Sequence, residues 1–430
     1  MSDLAPPSGL PRLLTGLRSE GAVGLDEHLH WFGPPPWPHS SGNQLIARIE
    51  QSGLRGRGGA GFPVATKMHA VAAGRTRPVV VANGAEGEPA SRKDELLLEA
   101  APHLVLDGAS LAAAALNARR ALICVKRNAQ TAKQRVNAAL AERGRAGLDP
   151  VELELVEVSG RYVAGEESAL VHELNGGPAK PTFIPPRPFD RGVDRRPTLI
   201  HNVETLANLA LIARFGPAWH REIGTLNDPG SLLVTLSGAV ASPGVYEVAG
   251  GSPLTALLEA AGGTTDPVQA FQIGGYAGTW FAGGAAPKLR LSHAGLRASG
   301  GSLGPGVVIA LPVGACAVAE TARVLRYLAQ ESAGQCGPCV FGLAAVAEEM
   351  EEIAVGAPRP SASGRIERWS ADIAGRGACH HPDGALRLVR SCLRTFAAEV
   401  AEHEAGRPCA AKPAMRDLFP LPNDYGRQRG

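Results

Sequence analysis

A glycine-rich segment, SGLRGRGGAGFP at residues 52–63, constrains the fold of this chain more than any other feature. Its Gly56, Gly58 and Gly61 have the G-x-G-x-x-G spacing of a Rossmann dinucleotide site, in which the glycines follow a strand and open a helix. In this chain, apolar residues recur at helical spacing through residues 40–52, so a helix precedes the loop. The surroundings therefore argue against the Rossmann fingerprint, although the spacing fits it.

The residues of the loop nevertheless favour the binding of an anion. Glycines have no Cβ, so their backbone amides can approach a phosphate group closely, while Arg57 and Lys67 supply positive charge. A plain surface turn is the alternative interpretation. We predict a phosphate-binding loop.

Strands and helices alternate after the loop. Apolar β-branched runs and periodic apolar segments predict strands at 77–83, 121–126 and 151–160, and helices at 96–116 and 128–144. Ser91 and Asp94 are expected to cap the first of these helices. The alternation predicts a layered, Rossmann-like α/β domain over residues 1–228.

Two further domains are predicted downstream. Residues 229–315 hold two strand-like runs joined by a Ser-Pro-Gly turn, then a short helix capped by Ser252, which is the pattern of a small β-grasp-like domain. Residues 316–430 hold four helical segments separated by Gly or Pro, which predict a four-helix bundle. We expect a loose, Pro-rich tail after residue 405.

Composition narrows the class of function. The 430 residues carry 43 basic and 41 acidic side chains, so no strong field attracts nucleic acid, and no nucleic-acid partner is expected. No apolar run reaches the roughly 18 residues of a membrane helix, and the N-terminus lacks the pattern of a signal peptide. We therefore expect a cytoplasmic protein that is not integral to a membrane.

Polar clusters lie where strands are predicted to end. Glu86 and Glu88 follow the first strand, at the position where open α/β sheets bind ligands, although solvated loop charges are an equal alternative. Segments 161–168 and 201–205 are polar and lead into predicted helices, so ordinary helix capping is the alternative for both.

The cysteines suggest a metal site. Cys336 and Cys339 form a C-x-x-C motif between two predicted helices, and Cys379 lies before the last helix, followed by His380 and His381. This spacing is typical of metal ligands. A zinc site completed by a histidine, an iron–sulfur cluster, a redox dithiol and unused thiols all remain open.

In this order and spacing, the motifs resemble the flavin-binding F subunit of bacterial respiratory complex I and the related diaphorase subunits of hydrogenases and formate dehydrogenases. The segments that carry the resemblance are SGLRGRGGAGFP, NGAEGEPASRKDELLLEAAPHL, GRYVAGEESAL, HNVETLANL, LSGAVASPGVYEV and ESAGQCGPC. The resemblance implies an FMN-containing dehydrogenase that takes a hydride from NADH and passes single electrons through a [4Fe–4S] cluster. It further implies a ferredoxin-like [2Fe–2S] or other redox subunit as partner, and possible docking to a membrane redox complex.

Roles for individual residues follow from the resemblance. The residues that would hold FMN are Gly56, Arg57, Gly58, Gly59, Gly61, Lys67, Asn83, Tyr162, Gly165, Glu166, His201 and Asn202. Phe62 would stack on the adenine of NADH. Three carboxylates would lie near the nicotinamide, namely those of Glu86, Glu88 and Glu167. The cluster would be bound by Cys336, Cys339 and Cys379.

The chain departs from the family pattern in two places. Ala333 replaces the first cluster cysteine, so a [4Fe–4S] cluster with three cysteines, a [3Fe–4S] cluster, structural zinc or no metal remain alternatives. Near the nicotinamide, Ala70 replaces an aromatic residue, Ile184 a lysine and Arg187 a phenylalanine, which should weaken or alter NADH binding. An alternative function is therefore a flavin-bearing electron relay that no longer oxidises NADH.

Overall fold

The computed structural model describes residues 9–17, 21–37, 42–410 and 418–422. The chain divides into two compact units. The first contains Met1–Gly87, Arg92–Val234 and Val245–Ser252, and the second contains Glu88–Ser91, Thr235–Gly244 and Pro253–Gly430. The division into three domains, with limits at residues 228 and 315, stays a prediction.

Helices and strands alternate in the first unit. In chain order its elements are α1 (Leu25–Phe32), α2 (Asn43–Ser52), α3 (Val64–Ala72), β1 (Val79–Gly84), α4 (Lys93–Ala100), α5 (Pro102–Ala115), β2 (Arg120–Lys126), α6 (Gln130–Ala146), β3 (Glu152–Val158), α7 (Glu167–Leu174), β4 (Thr198–Asn202) and α8 (Val203–Arg221).

The strands of the first unit form a parallel sheet in the order β3-β2-β1-β4. Successive residues of β1 point to opposite faces. Val80 and Ala82 belong to the apolar core that includes residues of α2, α5 and α8, whereas Val79 and Val81 belong to a separate core with Leu170 of α7. The predicted α/β arrangement with a parallel sheet is confirmed.

The helix predicted over residues 96–116 is in fact two helices. α4 ends at Ala100 and α5 begins at Pro102, and the two axes differ by 96°. Proline has no N–H to continue the hydrogen bonds of α4, so the chain turns there. The cap prediction for Ser91 was also wrong, because Arg92 is the N-cap residue and its side chain makes no capping bond.

Within the described ranges, no single helix is long and apolar enough to cross a membrane. α4 and α5 together have the required length and composition, but only as this sharply bent pair, and α5 is mostly buried in the core.

The remaining elements begin with β5 (Ser231–Gly238), β6 (Gly244–Ala249), β7 (Ser252–Pro253), α9 (Leu254–Ala260), β8 (Val268–Ile273), β9 (Thr279–Ala282), β10 (Arg290–Leu291), α10 (His293–Ala298) and β11 (Val307–Pro312). In the second unit, β11 pairs in parallel with residues 235–238 of β5 and antiparallel with β8, which pairs antiparallel with β9. Ser252 lies in β7, and Pro253 is the N-cap residue of α9, so the cap predicted at Ser252 was wrong.

Five α-helices follow in the described residues of the second unit: α11 (Ala317–Gln330), α12 (Leu343–Ala354), α13 (Ala362–Ile373), α14 (His381–Thr395) and α15 (Ala397–Glu404). The last predicted helix is divided at Phe396 into α14 and α15. α14 packs on β9, where the Trp280 N–H donates to Ser391 Oγ at 3.0 Å.

One part of the tail predicted to be loose after residue 405 is packed, although residues 405–410 are exposed. Phe419 is buried against the rings of Tyr276 and Trp280, and its carbonyl accepts a hydrogen bond from Arg323 at 2.7 Å. Residues 411–417 and 423–430 lie outside the described residues.

Candidate functional site

The glycine loop joins α2 to α3 and is closed by its own backbone. The Gly56 N–H donates to the Phe62 carbonyl at 2.9 Å. Gly59 and Gly61 have φ values of +118° and +62°, a region that residues with side chains rarely adopt. The sequence therefore uses glycine here because the turn requires it.

This loop lies against the carboxyl end of β4. A Cβ added to the exposed Gly58 would lie 3.3 Å from the Cβ of Asn202, the last residue of that strand. Phe62, at the end of the loop, is half exposed, with 50% of its surface accessible. The loop thus presents backbone amides and one aromatic ring at the edge of the sheet where parallel strands end.

Arg57 points away from the open side of the loop. Its backbone N–H donates to Thr205 Oγ1 at 2.8 Å, and its buried guanidinium donates to the carbonyls of Pro229 and Ser231 at 3.2 and 3.0 Å. The side chain therefore anchors the loop to the interior.

Lys67, one turn into α3, provides a cation closer to the surface. Its ammonium group donates to the Glu167 carboxylate and, at 3.3 Å, to the Ile200 carbonyl near the end of β4. The Lys67 side chain is 16% exposed and that of Glu167 is 44% exposed. Two predicted site residues, 100 positions apart, are thus brought into contact.

The ends of β4 and β1 carry the predicted polar side chains. His201 is buried, and within the described part of the chain its Nε2 has no hydrogen-bond partner. Burial, aided by the charge of Lys67, holds the pKa of His201 well below its ordinary value, so the ring is neutral. Asn83 donates to the Gly165 carbonyl at 3.0 Å and accepts from the Ala85 N–H at 3.1 Å.

A buried ionic network behind this edge was not predicted from the sequence. The Lys93 ammonium contacts Asp94 at 2.6 Å, Glu204 at 2.8 Å and the side-chain oxygen of Asn202 at 3.3 Å. Asn202 in turn donates to Asp94 at 2.6 Å. The network fixes the orientation of Asn202. In the sequence, the network was indicated only by the segment SRKDE, which lies inside a motif that resembles the family's flavin site.

The segment 161–168 forms a short 3₁₀ helix, Tyr162–Gly165, followed by α7. The Glu166 carboxylate caps α7 by accepting from the amides of Ser168 and Ala169, both at 3.0 Å. A Cβ on Gly165 would lie 2.6 Å from the Ala85 carbonyl, so the segment packs tightly against the residue after β1. The capping role considered for this segment is therefore present.

Glu86 and Glu88 are not solvated loop charges, because both are buried, at 7% and 8% exposure. Glu86 belongs to the first unit and caps α4, accepting from the amides of Asp94 and Glu95 at 3.3 and 3.2 Å. Glu88 belongs to the second unit and accepts from the Tyr276 N–H at 2.8 Å.

The three predicted metal ligands all belong to the second unit. The Cys339 N–H donates to the Cys336 carbonyl at 3.0 Å, at the start of a single π-turn, Pro338–Gly342. Burial and the neighbouring thiols of Cys336 and Cys379 raise the pKa of Cys339 to about 11. Ala333, at the position of the missing cysteine, is buried.

The two candidate histidines differ sharply in their surroundings. The His381 ring donates through Nε2 to the Leu328 carbonyl at 2.8 Å, whereas the His380 side chain is fully exposed and lies 3.7 Å from Asp383. A fourth ligand to a cluster stays a prediction.

Family models match most of the chain in three consecutive regions. The Nuo51 FMN-binding domain matches residues 49–211, the SLBB domain residues 233–275, and the NADH-ubiquinone oxidoreductase-F iron-sulfur binding region residues 319–403. The fold and site thus define a flavin-and-cluster class of redox protein.

Full-length relatives give the family. The chain is 32% identical to the F subunit of the Streptomyces coelicolor NADH-quinone oxidoreductase over 391 residues, which cover 86% of this chain and 85% of that protein. It is also 32% identical to the corresponding protein of the same name in Escherichia coli, with 85% of each chain covered. The chain belongs to the family of NADH-quinone oxidoreductase F subunits.

A solved structure supports the same family assignment. A chain of an NAD+-reducing [NiFe]-hydrogenase in the H2-reduced state superposes with a TM-score of 0.81 at 30% identity. The match covers 92% of this chain but 66% of that one, so this chain spans about two thirds of the hydrogenase chain. The predicted resemblance is confirmed.

Proposed function

We propose that this chain is an FMN-containing, NADH-oxidising subunit that passes electrons singly through an iron–sulfur cluster to a partner. The observation that carries the proposal is the glycine loop, whose exposed Gly58 leaves only enough room for an added Cβ 3.3 Å from Asn202 at the carboxyl end of β4. An open turn of amides at this edge of a parallel sheet is suited to a phosphorylated cofactor.

The residues around this edge fit FMN. The amides of the turn are accessible to a phosphate, Lys67 adds a cation, and the buried Nε2 of His201 is without a hydrogen-bond partner among described residues. The residues that would hold FMN are Gly56, Gly58, Gly59, Gly61, Lys67, Asn83, Tyr162, Gly165, Glu166, His201 and Asn202, with Arg57 anchoring the loop. When bound, FMN supplies a group that accepts two electrons together and releases them one at a time.

NADH would approach the open side of the same edge. Phe62, half exposed, offers its ring to the adenine, and Glu167, the more exposed member of its pair with Lys67, offers a carboxylate to the nicotinamide end. Glu86 would act as a positioning residue, because its carboxylate is engaged by the backbone amides at the start of α4. A place for Glu88 near the nicotinamide stays a prediction.

Electrons would leave through a cluster held by Cys336, Cys339 and Cys379. These thiols fit a cluster that has three thiolate ligands, since Ala333 offers no ligating atom. The receiving partner would be a ferredoxin-like [2Fe–2S] or other redox subunit, in the cytoplasm or docked to a membrane redox complex. The β-grasp-like domain at 229–315 and the helical bundle at 316–430 belong to this proposal.

Flavin binding is the first test. The full chain, freed of flavin, is titrated with FMN while flavin fluorescence is recorded. One equivalent of FMN is expected to bind with quenching, and riboflavin, which lacks the phosphate, should bind far more weakly. Equal affinity for the two flavins would contradict the role of the loop, and no binding of either would remove the proposed function.

A second candidate is an electron relay that binds FMN but takes no electrons from NADH. It is favoured by the exposed Ile184 and Arg187, which stand where the family has a lysine and a phenylalanine. Anaerobic mixing of the FMN-loaded chain with NADH separates the two candidates, because only the first is reduced.

A further inference from the structure

A cluster of four potential metal ligands lies in the second unit, apart from the cysteines of the proposed iron–sulfur site. Cys316 Sγ, a Glu399 carboxylate oxygen, a His403 ring nitrogen and Cys409 Sγ all lie within 4.8 Å of one another. Cys316 precedes α11, Glu399 and His403 lie four residues apart on one face of α15, and Cys409 lies just beyond α15.

From this cluster we infer a second metal site, in which Cys316, Glu399, His403 and Cys409 bind a zinc ion. Two thiolates, an imidazole and a carboxylate are donors that suit tetrahedral Zn²⁺. This site is independent of the proposed FMN and iron–sulfur functions.

The spacing of the donor atoms agrees with a tetrahedral ion. Zinc–sulfur and zinc–nitrogen bonds of about 2.3 and 2.0 Å place the sulfur and nitrogen atoms roughly 3.6 Å apart at a tetrahedral angle. His403 Nε2 lies 3.6 Å from Cys316 Sγ and 3.1 Å from Cys409 Sγ. Cys409 Sγ lies 3.4 Å from Glu399 Oε1. Small side-chain movements are enough to surround an ion.

His403 is held in the orientation that a metal ligand needs. The ring is buried, and its Nδ1–H donates to the carbonyls of Ile353 and Ala354, both at 3.1 Å. This bond fixes the tautomer in which the Nε2 lone pair faces the two sulfur atoms, as is usual for histidines that bind metals. The Cys409 N–H now donates to that lone pair at 3.1 Å, and it would turn away when an ion binds.

Cys316 is also held in position by the helix that it precedes. It is buried as the N-cap residue of α11, and its sulfur accepts a hydrogen bond from the Ala319 N–H at 3.2 Å. The bond fixes the direction of the sulfur relative to the first turn of α11. Cys409, in contrast, is exposed and lies in an irregular segment, so we expect it to be the last of the four ligands to bind the ion.

The position of the ligands in the chain suggests what the ion does. Cys316 precedes the iron-sulfur binding region matched at residues 319–403, and Cys409 follows it. One ion would therefore join both ends of the segment that contains Cys336, Cys339 and Cys379. A metal that closes such a long loop stabilises the folded state by restricting the unfolded chain.

The test is metal analysis of the full chain purified anaerobically from medium with zinc. The background variant Cys336→Ser/Cys339→Ser/Cys379→Ser removes the other thiol site and should retain one zinc per chain. Adding Cys409→Ser, a change at an exposed residue, should lower the zinc that survives purification to well below one per chain. Adding Cys392→Ser instead, a change at a buried thiol that is not among the four proposed zinc ligands, should leave one zinc per chain.

Cobalt titration gives an independent readout on the metal-free background variant. Sulfur-to-cobalt charge-transfer absorption should appear with one equivalent of Co²⁺, fall by about half in Cys316→Ser or Cys409→Ser, and change shape in His403→Gln. Zinc content or cobalt spectra unaffected by these changes would overturn the site. So would a Cys316–Cys409 disulfide in non-reduced peptide maps of the anaerobically purified chain.

Discussion

The ammonium group of Lys67 donates to the carboxylate of Glu167, which links the helix after the glycine loop to the first turn of α7. Both residues were predicted from the sequence to lie in the flavin and nicotinamide site. Their pairing orients the lysine at the edge of the sheet, where it can meet a phosphate or flavin oxygen.

Replacing Lys67 should weaken FMN binding. A hydrogen bond from a charged group contributes about 1.5–3 kcal/mol, so Lys67→Ala is expected to lower FMN affinity by about ten- to a hundredfold. Fluorescence titration measures the effect. Glu167→Gln is the matched control, because it removes the partner but leaves the ammonium group, and it should retain FMN. Wild-type affinity in Lys67→Ala would exclude this lysine from the site.

The glycine loop can be tested with a matched pair of substitutions. Gly61 and Gly147 have similar φ values, +62° and +58°, but Gly147 ends α6 outside the site. Alanine in this conformation costs about 1–2 kcal/mol, so both variants should lose comparable stability. Only Gly61→Ala should also lose affinity for FMN. Parallel FMN titrations and urea denaturation make the comparison, and equal FMN affinity in the two variants would contradict the loop's role.

Ala333 is expected to determine the type of cluster. Ala333→Cys supplies the thiolate that the family places there, so anaerobic reconstitution should give close to four irons and four sulfides per chain. The EPR signal of the reduced protein is expected to differ from that of the wild type. Ala333→Ser controls for size without adding a strong ligand. Identical iron content and spectra in all three proteins would mean that no cluster forms next to residue 333.

Buried histidines should make the fold sensitive to acid. Burial, with the charges of Arg57 and Arg12, lowers the pKa of His220 to about 3, and burial with the charges of His28 and Arg143 lowers that of His103 to about 4. In the unfolded chain a histidine titrates near its ordinary 6.5. Between these values the unfolded state binds more protons, so the free energy of unfolding should fall as pH falls from about 6.5 towards 3.

Urea denaturation of the full chain at several pH values measures this dependence. The midpoint should move to lower urea as the solution is acidified, and His220→Gln should flatten the slope. A midpoint that is constant from pH 7 to pH 4 would contradict the buried, neutral state of these rings.

The parts of the site that could be predicted are those encoded in short segments. Gly59 and Gly61 adopt backbone conformations that favour glycine, so the loop is visible in the sequence. Residues 79–82, the first four of β1, form a continuous apolar run that is buried on both faces, and such runs predict parallel strands. Cys336 and Cys339 are close in sequence and therefore close in space.

Tertiary contacts explain what could not be predicted. The burial of Lys93 depends on Glu204 and Asn202, more than a hundred residues away. The sequence does not predict that Cys316 and Cys409 are neighbours, because they are 93 positions apart, yet the fold brings their sulfur atoms together. The direction of Arg57 is set by carbonyls of Pro229 and Ser231, which no local pattern reveals.

Stopped-flow mixing of the FMN-loaded full chain with NADH under anaerobic conditions tests the central claim most directly. The proposed function predicts rapid loss of the visible flavin absorbance, with one NAD+ formed for each FMN reduced. Bound FMN whose absorbance is unchanged by NADH would contradict it, and would leave the electron relay as the function of this chain.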